Sequence, residues 1–503
     1  MGIPLELNYR NVFSSQNFFF GVANAPYLSE GGYNLSNGPK NNYYDMEKSG
    51  KIEKSKDACR FWTDYEKHIK LAMSLGLDAF RMGVEWARIQ PTIKSHPHSP
   101  PEWDYSAVDH YAKMISTLFK YNLEPIITLH HFTHPAWLPK EMWITEDGPR
   151  FFTQYALKIV KELNIRLYNK AERVIKNFIV SNEPNIILIG MFISGDFLIE
   201  KKGPRQVIKA YDNLFSSYVK VYDGLYNLYE KNNWSVPEVG FNSASQCPYE
   251  IDKQFLDLMR LRTFGIEEND ISSRFNDLRM AWNKRVGNLA KTKLNKEQYE
   301  RYKFLIKFTE QIIKPTKFKK TIDQIYRSKR KRKLDYISVN IYEPFMGPKS
   351  SLDLSKNPDW WEYSADGEIY STFIRAYHDF NNNLPIYMGE NSLAYRQPIG
   401  KKAEPRPDGW TRERYLKVYI SEMIKCIKDG IPIKGYLYWS LTDDYEWESF
   451  EPRLGLYNYD YINGKIRETD GLGEPAGEIY ADLISTLRKG NLKEIVKKFK
   501  HTL

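Results

Sequence analysis

Eight short apolar runs recur along this chain, at Asn17–Val22, Asp78–Val84, Pro125–His130, Val174–Val180, Glu238–Ser243, Leu334–Ile341, Leu384–Met388 and Lys434–Trp439. Most are nearly continuous in Val, Ile, Leu, Phe and Tyr, as strands covered on both faces must be. Helix-like segments such as Phe61–Leu75, Ala107–Tyr121 and Phe151–Tyr168 fall between them. Eight alternations of strand and helix predict a single (β/α)8 TIM barrel of the α/β class, spanning residues 1–503. An open doubly wound sheet is the alternative, but no Gly-x-Gly-x-x-Gly follows an early strand.

One connection is too long for a single helix. Residues 252–333, between the fifth and sixth strands, read as a charged helical insertion with helices at Phe255–Arg262, Ile271–Val286 and Lys296–Ile313. It ends in Arg327-Ser328-Lys329-Arg330-Lys331-Arg332-Lys333. Net charge is +10, yet residues 291–333 alone hold sixteen Lys or Arg against four Asp or Glu. The rest of the chain is therefore slightly acidic, which argues against a nucleic-acid partner. The basic stretch reads as a solvated helical surface, with contact to an anionic membrane or a protein as the alternative.

Cys59, Cys247 and Cys426 are odd in number and far apart, so they form neither a disulfide framework nor metal-ligand spacing. The first residues lack a basic segment followed by an apolar one, and no apolar run approaches the ~18 residues of a membrane span. Glu6 stands where a myristoylation signal wants Ser or Thr. A cytoplasmic setting is expected, with no metal and no cofactor.

Polar residues gather at one end of the strands: Arg81, Glu85-Trp86, His130-His131, Asn182-Glu183, Asn340, Tyr342, Glu390 and Trp439. In this barrel the C-terminal strand ends carry the chemistry. Glu183 and Glu390 each close an apolar run and lie far apart in sequence, so a closed ring would turn them toward each other. Two facing carboxyls are the minimum equipment for breaking a glycosidic bond.

The ordered motifs are Phe20-Gly21-Val22-Ala23 with Glu30-Gly31; Phe80-Arg81 with Glu85-Trp86-Ala87-Arg88-Ile89; Thr128-Leu129-His130-His131; Asn182-Glu183-Pro184; Asn340-Ile341-Tyr342; Glu390-Asn391; and the run from Trp439 to Trp447, followed by Arg453-Leu454-Gly455-Leu456. Together they resemble glycoside hydrolase family 1, the β-glucosidase and β-galactosidase family, along nearly the whole chain. The resemblance implies a retaining β-glycosidase acting on a small glycoside, with Glu183 as acid/base and Glu390 as nucleophile. It further implies that Arg81 and Tyr342 attend the nucleophile and that Asn182 contacts the sugar 2-hydroxyl. His131, Glu446, Trp439 and Trp447 would bind the sugar, as a 3-hydroxyl donor, a 4- and 6-hydroxyl partner, a platform and a flank. Asn340 would support them.

The chain also departs from the family pattern. Leu28 occupies the usual position of a glutamine that grips the 3- and 4-hydroxyls, Phe132 replaces a common tryptophan, and Asn391-Ser392 stands for Asn-Gly. The Ser…Lys…Tyr arrangement of phosphate-binding members is absent after Trp439, where Asp443-Asp444-Tyr445-Glu446 stands. An unphosphorylated sugar is therefore expected. Transglycosylation through the same intermediate and a silent carbohydrate-binding role are the alternatives, the latter resting on Leu28 and opposed by the retained glutamates.

Overall fold

A computed structural model describes residues 3–92, 100–195, 198–345, 365–381, 383–446 and 448–499. The parallel strands are β1 (Phe19–Ala23), β2 (Ala79–Gly83), β3 (Glu124–Thr128), β4 (Asn177–Ile179), β5 (Glu238–Gly240), β6 (Asn242–Ala244), β7 (Ile337–Asn340), β8 (Ile386–Asn391) and β9 (Ile433–Trp439). Each pairs in parallel with its neighbours, in the order β5-β4-β3-β2-β1-β9-β8-β7-β6. The two ends of that order, β5 and β6, are consecutive pieces of one chain segment separated by Phe241. The sheet thus closes through the backbone itself, and nine segments make eight staves.

This split corrects the continuous fifth strand expected at Glu238–Ser243. Glu238–Gly240 pairs with β4 and Asn242–Ala244 with β7, so the stave changes partners at Phe241. The seventh stave also differs: it runs through Glu390 to Asn391 instead of stopping at Met388. Register shifts beside Val339 and Tyr436 let it continue to the mouth.

The helices α1 (Phe61–Ser74), α2 (Tyr105–Lys120), α3 (Asp147–Ala171), α4 (Pro204–Lys231), α5 (Ile271–Lys293), α6 (Lys296–Ile312), α7 (Lys319–Arg327), α8 (Gly367–His378), α9 (Arg412–Lys428) and α10 (Ala476–Lys489) follow in order. Strand side chains alternate between two cores, as the pleat requires. Ala23, Ala79, Ile126, Ile179 and Leu437 fill the lumen, whereas Phe20, Val22, Phe80, Met82 and Phe178 meet the helices.

The long connection contains α5 and α6 as the sequence suggests, but the expected Phe255–Arg262 helix shortens to Gln254–Leu258. Its last helix, α7, packs on α4 as part of the outer ring. Two cations of the basic run that follows are tied down. Arg330 pairs with Glu230 at 2.6 Å, and Lys333, 0% exposed, pairs with Asp223 at 2.5 Å. Both partners lie on α4, so these cations fasten the end of α7 to its neighbour. Among the described residues no helix is long and apolar enough to cross a membrane, and Cys59, Cys247 and Cys426 are buried free thiols.

Candidate active site

Strand β2 delivers Arg81 into the lumen, where its side chain is 0% exposed. Its Nη1 donates to Glu390 Oε1 at 2.6 Å, its Nη2 to Asn182 Oδ1 at 2.8 Å, and its Nε to Thr128 Oγ1 at 3.0 Å. A buried guanidinium with that many acceptors has one orientation, and it fixes Glu390 in turn. The second oxygen of Glu390 accepts from the Tyr342 hydroxyl at 3.0 Å. Gly389 explains how Glu390 can sit there: a Cβ on that residue would come within 2.5 Å of Ser338 Oγ and 2.8 Å of Asn340 Oδ1.

Glu183 lies beyond β4 in the left-handed region, at φ 41°, where Pro184 starts the short helix Pro184–Ile189. Proline disfavours a helical conformation at the preceding residue, and its missing N–H costs nothing at the first helical position. The Glu183 carboxyl receives Asn340 Nδ2 at 2.7 Å. Burial first, then the charge of Glu390, pushes Glu183 up to about 8. Glu390 is also raised by burial, but Arg81 and Tyr342 oppose the rise by stabilising its anion. The two carboxyls therefore lie within each other's field with unequal hydrogen-bond endowments.

Asn182 links the network. Its Oδ1 accepts from Arg81, so its Nδ2 is the donor facing His131 Nε2 at 3.2 Å. That makes Nε2 the acceptor and puts the proton on Nδ1, which has no partner among the described residues. Burial, followed by the charge of Arg81, holds the imidazole neutral. The His131 ring stacks on Trp439 with centroids 5.7 Å apart, and Phe132 meets it edge-on at 4.7 Å. Trp439 Nε1 donates to Glu446 Oε2 at 2.9 Å. Leu28 is half-buried against the apolar cluster that contains Trp439. Trp447 lies outside the described residues.

Glu85 and Glu30, prominent in the sequence, serve the scaffold. Glu85 caps the helix Trp86–Ile89 through Ala87 N, and Glu30 pairs with Arg88 at 2.7 Å. The sequence reading missed Asp444. Both of its carboxyl oxygens are buried and have no hydrogen-bond partner among the described residues. Burial and then the neighbouring Glu446 raise its pKa, while Glu446 itself is pushed up to about 8, chiefly by burial. Its neighbour Asp443 is saturated by Gly455 N, Asn458 Nδ2 and Tyr459 N at 2.9, 2.8 and 3.2 Å.

The glycosyl hydrolase family 1 model matches residues 9–486. The chain belongs to that family. It is accordingly a glycoside hydrolase. Relatives include Beta-glucosidase A of Thermotoga maritima, 24% identical over 477 residues covering 90% of this chain and 94% of that protein. A cyanidin 3-O-glucoside 7-O-glucosyltransferase (acyl-glucose) of Delphinium grandiflorum is 23% identical over 515 residues, covering 95% and 91%. A 6-phospho-beta-galactosidase of Lacticaseibacillus casei is 24% identical over 483 residues, covering 89% and 94%. Among solved structures, a beta-glycosidase from Pyrococcus horikoshii aligns with TM-score 0.64 at 20% identity, covering 97% of both chains.

Proposed function

We propose that the chain hydrolyses small, unphosphorylated β-glycosides by double displacement, with Glu390 as nucleophile and Glu183 as acid and then base. One observation carries this reading: the two carboxyls are unequally furnished. Glu390 has Arg81 and Tyr342 on its two oxygens, which favours the anion. Glu183 receives one amide and is pushed up to about 8, so at neutral pH it holds a proton.

In the first step a Glu390 oxygen attacks the anomeric carbon while Glu183 gives its proton to the departing oxygen. The resulting ester neutralises Glu390. Glu183, now a carboxylate, takes a proton from water, whose oxygen attacks the same carbon and frees Glu390. The retaining route needs the carboxyls about 5–5.5 Å apart. Asn182 would meet the 2-hydroxyl, His131 Nδ1 and Glu446 other hydroxyls, and Trp439 the apolar sugar face. Asp443-Asp444-Tyr445-Glu446 stands where the phosphate-binding arrangement of the family would, and the run carries no cation, which supports an unphosphorylated substrate. Three free buried thiols support a cytoplasmic setting.

The test is Glu390→Ala, which should abolish turnover of aryl β-glycosides and regain it with azide, giving the α-glycosyl azide. Failure of azide to restore turnover in the folded variant would remove Glu390 from the nucleophile role. A second reading is transglycosylation, favoured by the Delphinium relative, whose name records glucosyl transfer from an acyl-glucose. Product analysis with added acceptor alcohols separates it from hydrolysis.

A further inference from the structure

Helix α6 presents two aromatic rings to solvent. Phe304 is 64% exposed and Phe308 38% exposed, and the rings stack with centroids 6.0 Å apart. One turn apart on a helix, they share a face, and a contiguous exposed aromatic patch of this kind marks an interaction surface. Exposed Lys303 and Lys307 flank the pair.

Helix α6 carries Lys296, Arg301, Lys303 and Lys307 against Glu297, Glu300 and Glu310. Glu297 is matched by Arg301 and Glu300 by Lys303 within the helix. Lys296, Lys307 and, just past the helix, Lys314 are exposed and have no carboxylate partner among the described residues. Aromatic rings beside Lys307 and Lys296, which are unpaired, and Lys303, which is shared with Glu300, suit the boundary of an anionic bilayer, where rings enter the acyl region and ammonium groups meet the headgroups.

The opposite face of α6 ties it to the mouth of the barrel. Tyr302 packs on Phe345 with centroids 6.2 Å apart, three residues beyond Tyr342. Thr309 Oγ1 donates to Glu250 at 3.3 Å, and Arg279 of α5 pairs with Glu310 at 3.0 Å. The aromatic face therefore belongs to a packed helix, and whatever it docks against lies beside the catalytic end of the molecule.

We propose that the outer face of α6, through Phe304, Phe308, Lys303 and Lys307, docks the protein on an anionic lipid surface. The experiment is flotation of the full chain with vesicles of phosphatidylcholine alone or mixed with phosphatidylserine, at low and high salt. The protein floats with the mixed vesicles at low salt, and salt releases it. Phe304→Ser/Phe308→Ser and Lys303→Glu/Lys307→Glu each lower the partition constant about tenfold or more. Absence of flotation with phosphatidylserine overturns the proposal, including in favour of an acidic protein partner. Equal flotation of the wild type and both variants overturns it too. None of these residues touches the catalytic network, so hydrolysis of a soluble aryl glycoside stays unchanged in every variant and tests the proposed chemistry separately.

Discussion

Replacing Glu390 by glutamine keeps the shape of the site and removes one of the two buried charges. At the about 5–5.5 Å required for retention, and with an effective dielectric near 20, two unit charges repel by about 3 kcal/mol. That energy corresponds to roughly two pH units of proton affinity at Glu183. Burial, the larger cause, stays in place. Glu183 should therefore titrate near roughly 6 in Glu390→Gln, against about 8 in the native protein. The sign follows from the charge: an ionised Glu183 no longer faces an anion, so it gives up its proton at lower pH. Carbon-13 NMR of carboxyl-labelled glutamate gives the titration, with Glu183→Gln assigning the signal. In the native protein the two titrations belong to the pair. A Glu183 that still titrates near 8 in the variant would mean that the two carboxyls scarcely feel each other, and double displacement between them would fail.

Three further perturbations test neighbouring parts of the site. Glu183→Ala should cost far more with alkyl glycosides than with dinitrophenyl glycosides, because only poor leaving groups need the proton; equal losses in kcat/KM would refute the acid role. Leu28→Gln adds an amide beside the Trp439 platform and should raise kcat/KM on plain glucosides by about 1–3 kcal/mol, roughly 5- to 150-fold. A fall would show that the leucine's neighbours have adapted to it. Asp444→Asn should stabilise the fold increasingly as pH rises. A buried carboxyl with a raised pKa favours the folded state only while protonated, so the native protein loses that contribution from the unfolded pKa upward. Thermal melts at pH 5 and pH 8 should separate native and variant more widely at the higher pH, and an unchanged gap counts against the argument.

The eight staves were legible because a strand covered on both faces must be apolar almost throughout, and few other segments of this chain are. The partner change at Phe241 was not legible. Glu238–Ser243 reads as one run, and only closure of the ring makes it serve two neighbours. The same limit applies at the mouth. Asn340 was expected in a supporting role, but its partner was not legible: its amide donates to the Glu183 carboxyl, a contact between residues 157 apart in sequence. Asp443 and Asp444 are adjacent and chemically identical. What separates a saturated carboxyl from an orphaned one is the loop at Gly455–Tyr459, which no local pattern assigns to either. Within the basic run, the pairing of Arg330 and Lys333 was not legible because their counter-charges lie on a helix about a hundred residues earlier.

Arg81 and Glu390 stand 309 residues apart in the sequence. At ribosomal speeds of about 5–20 residues per second, the guanidinium leaves the ribosome on the order of 15–60 s before its carboxylate exists. Sealing the arginine in a dry lumen without that carboxylate would strand an unpaired cation at a cost of several kcal/mol. The nascent barrel therefore stays open and wet until β8 arrives, and a chain that terminates early keeps the inner faces of its staves exposed as a substrate for chaperones and proteases.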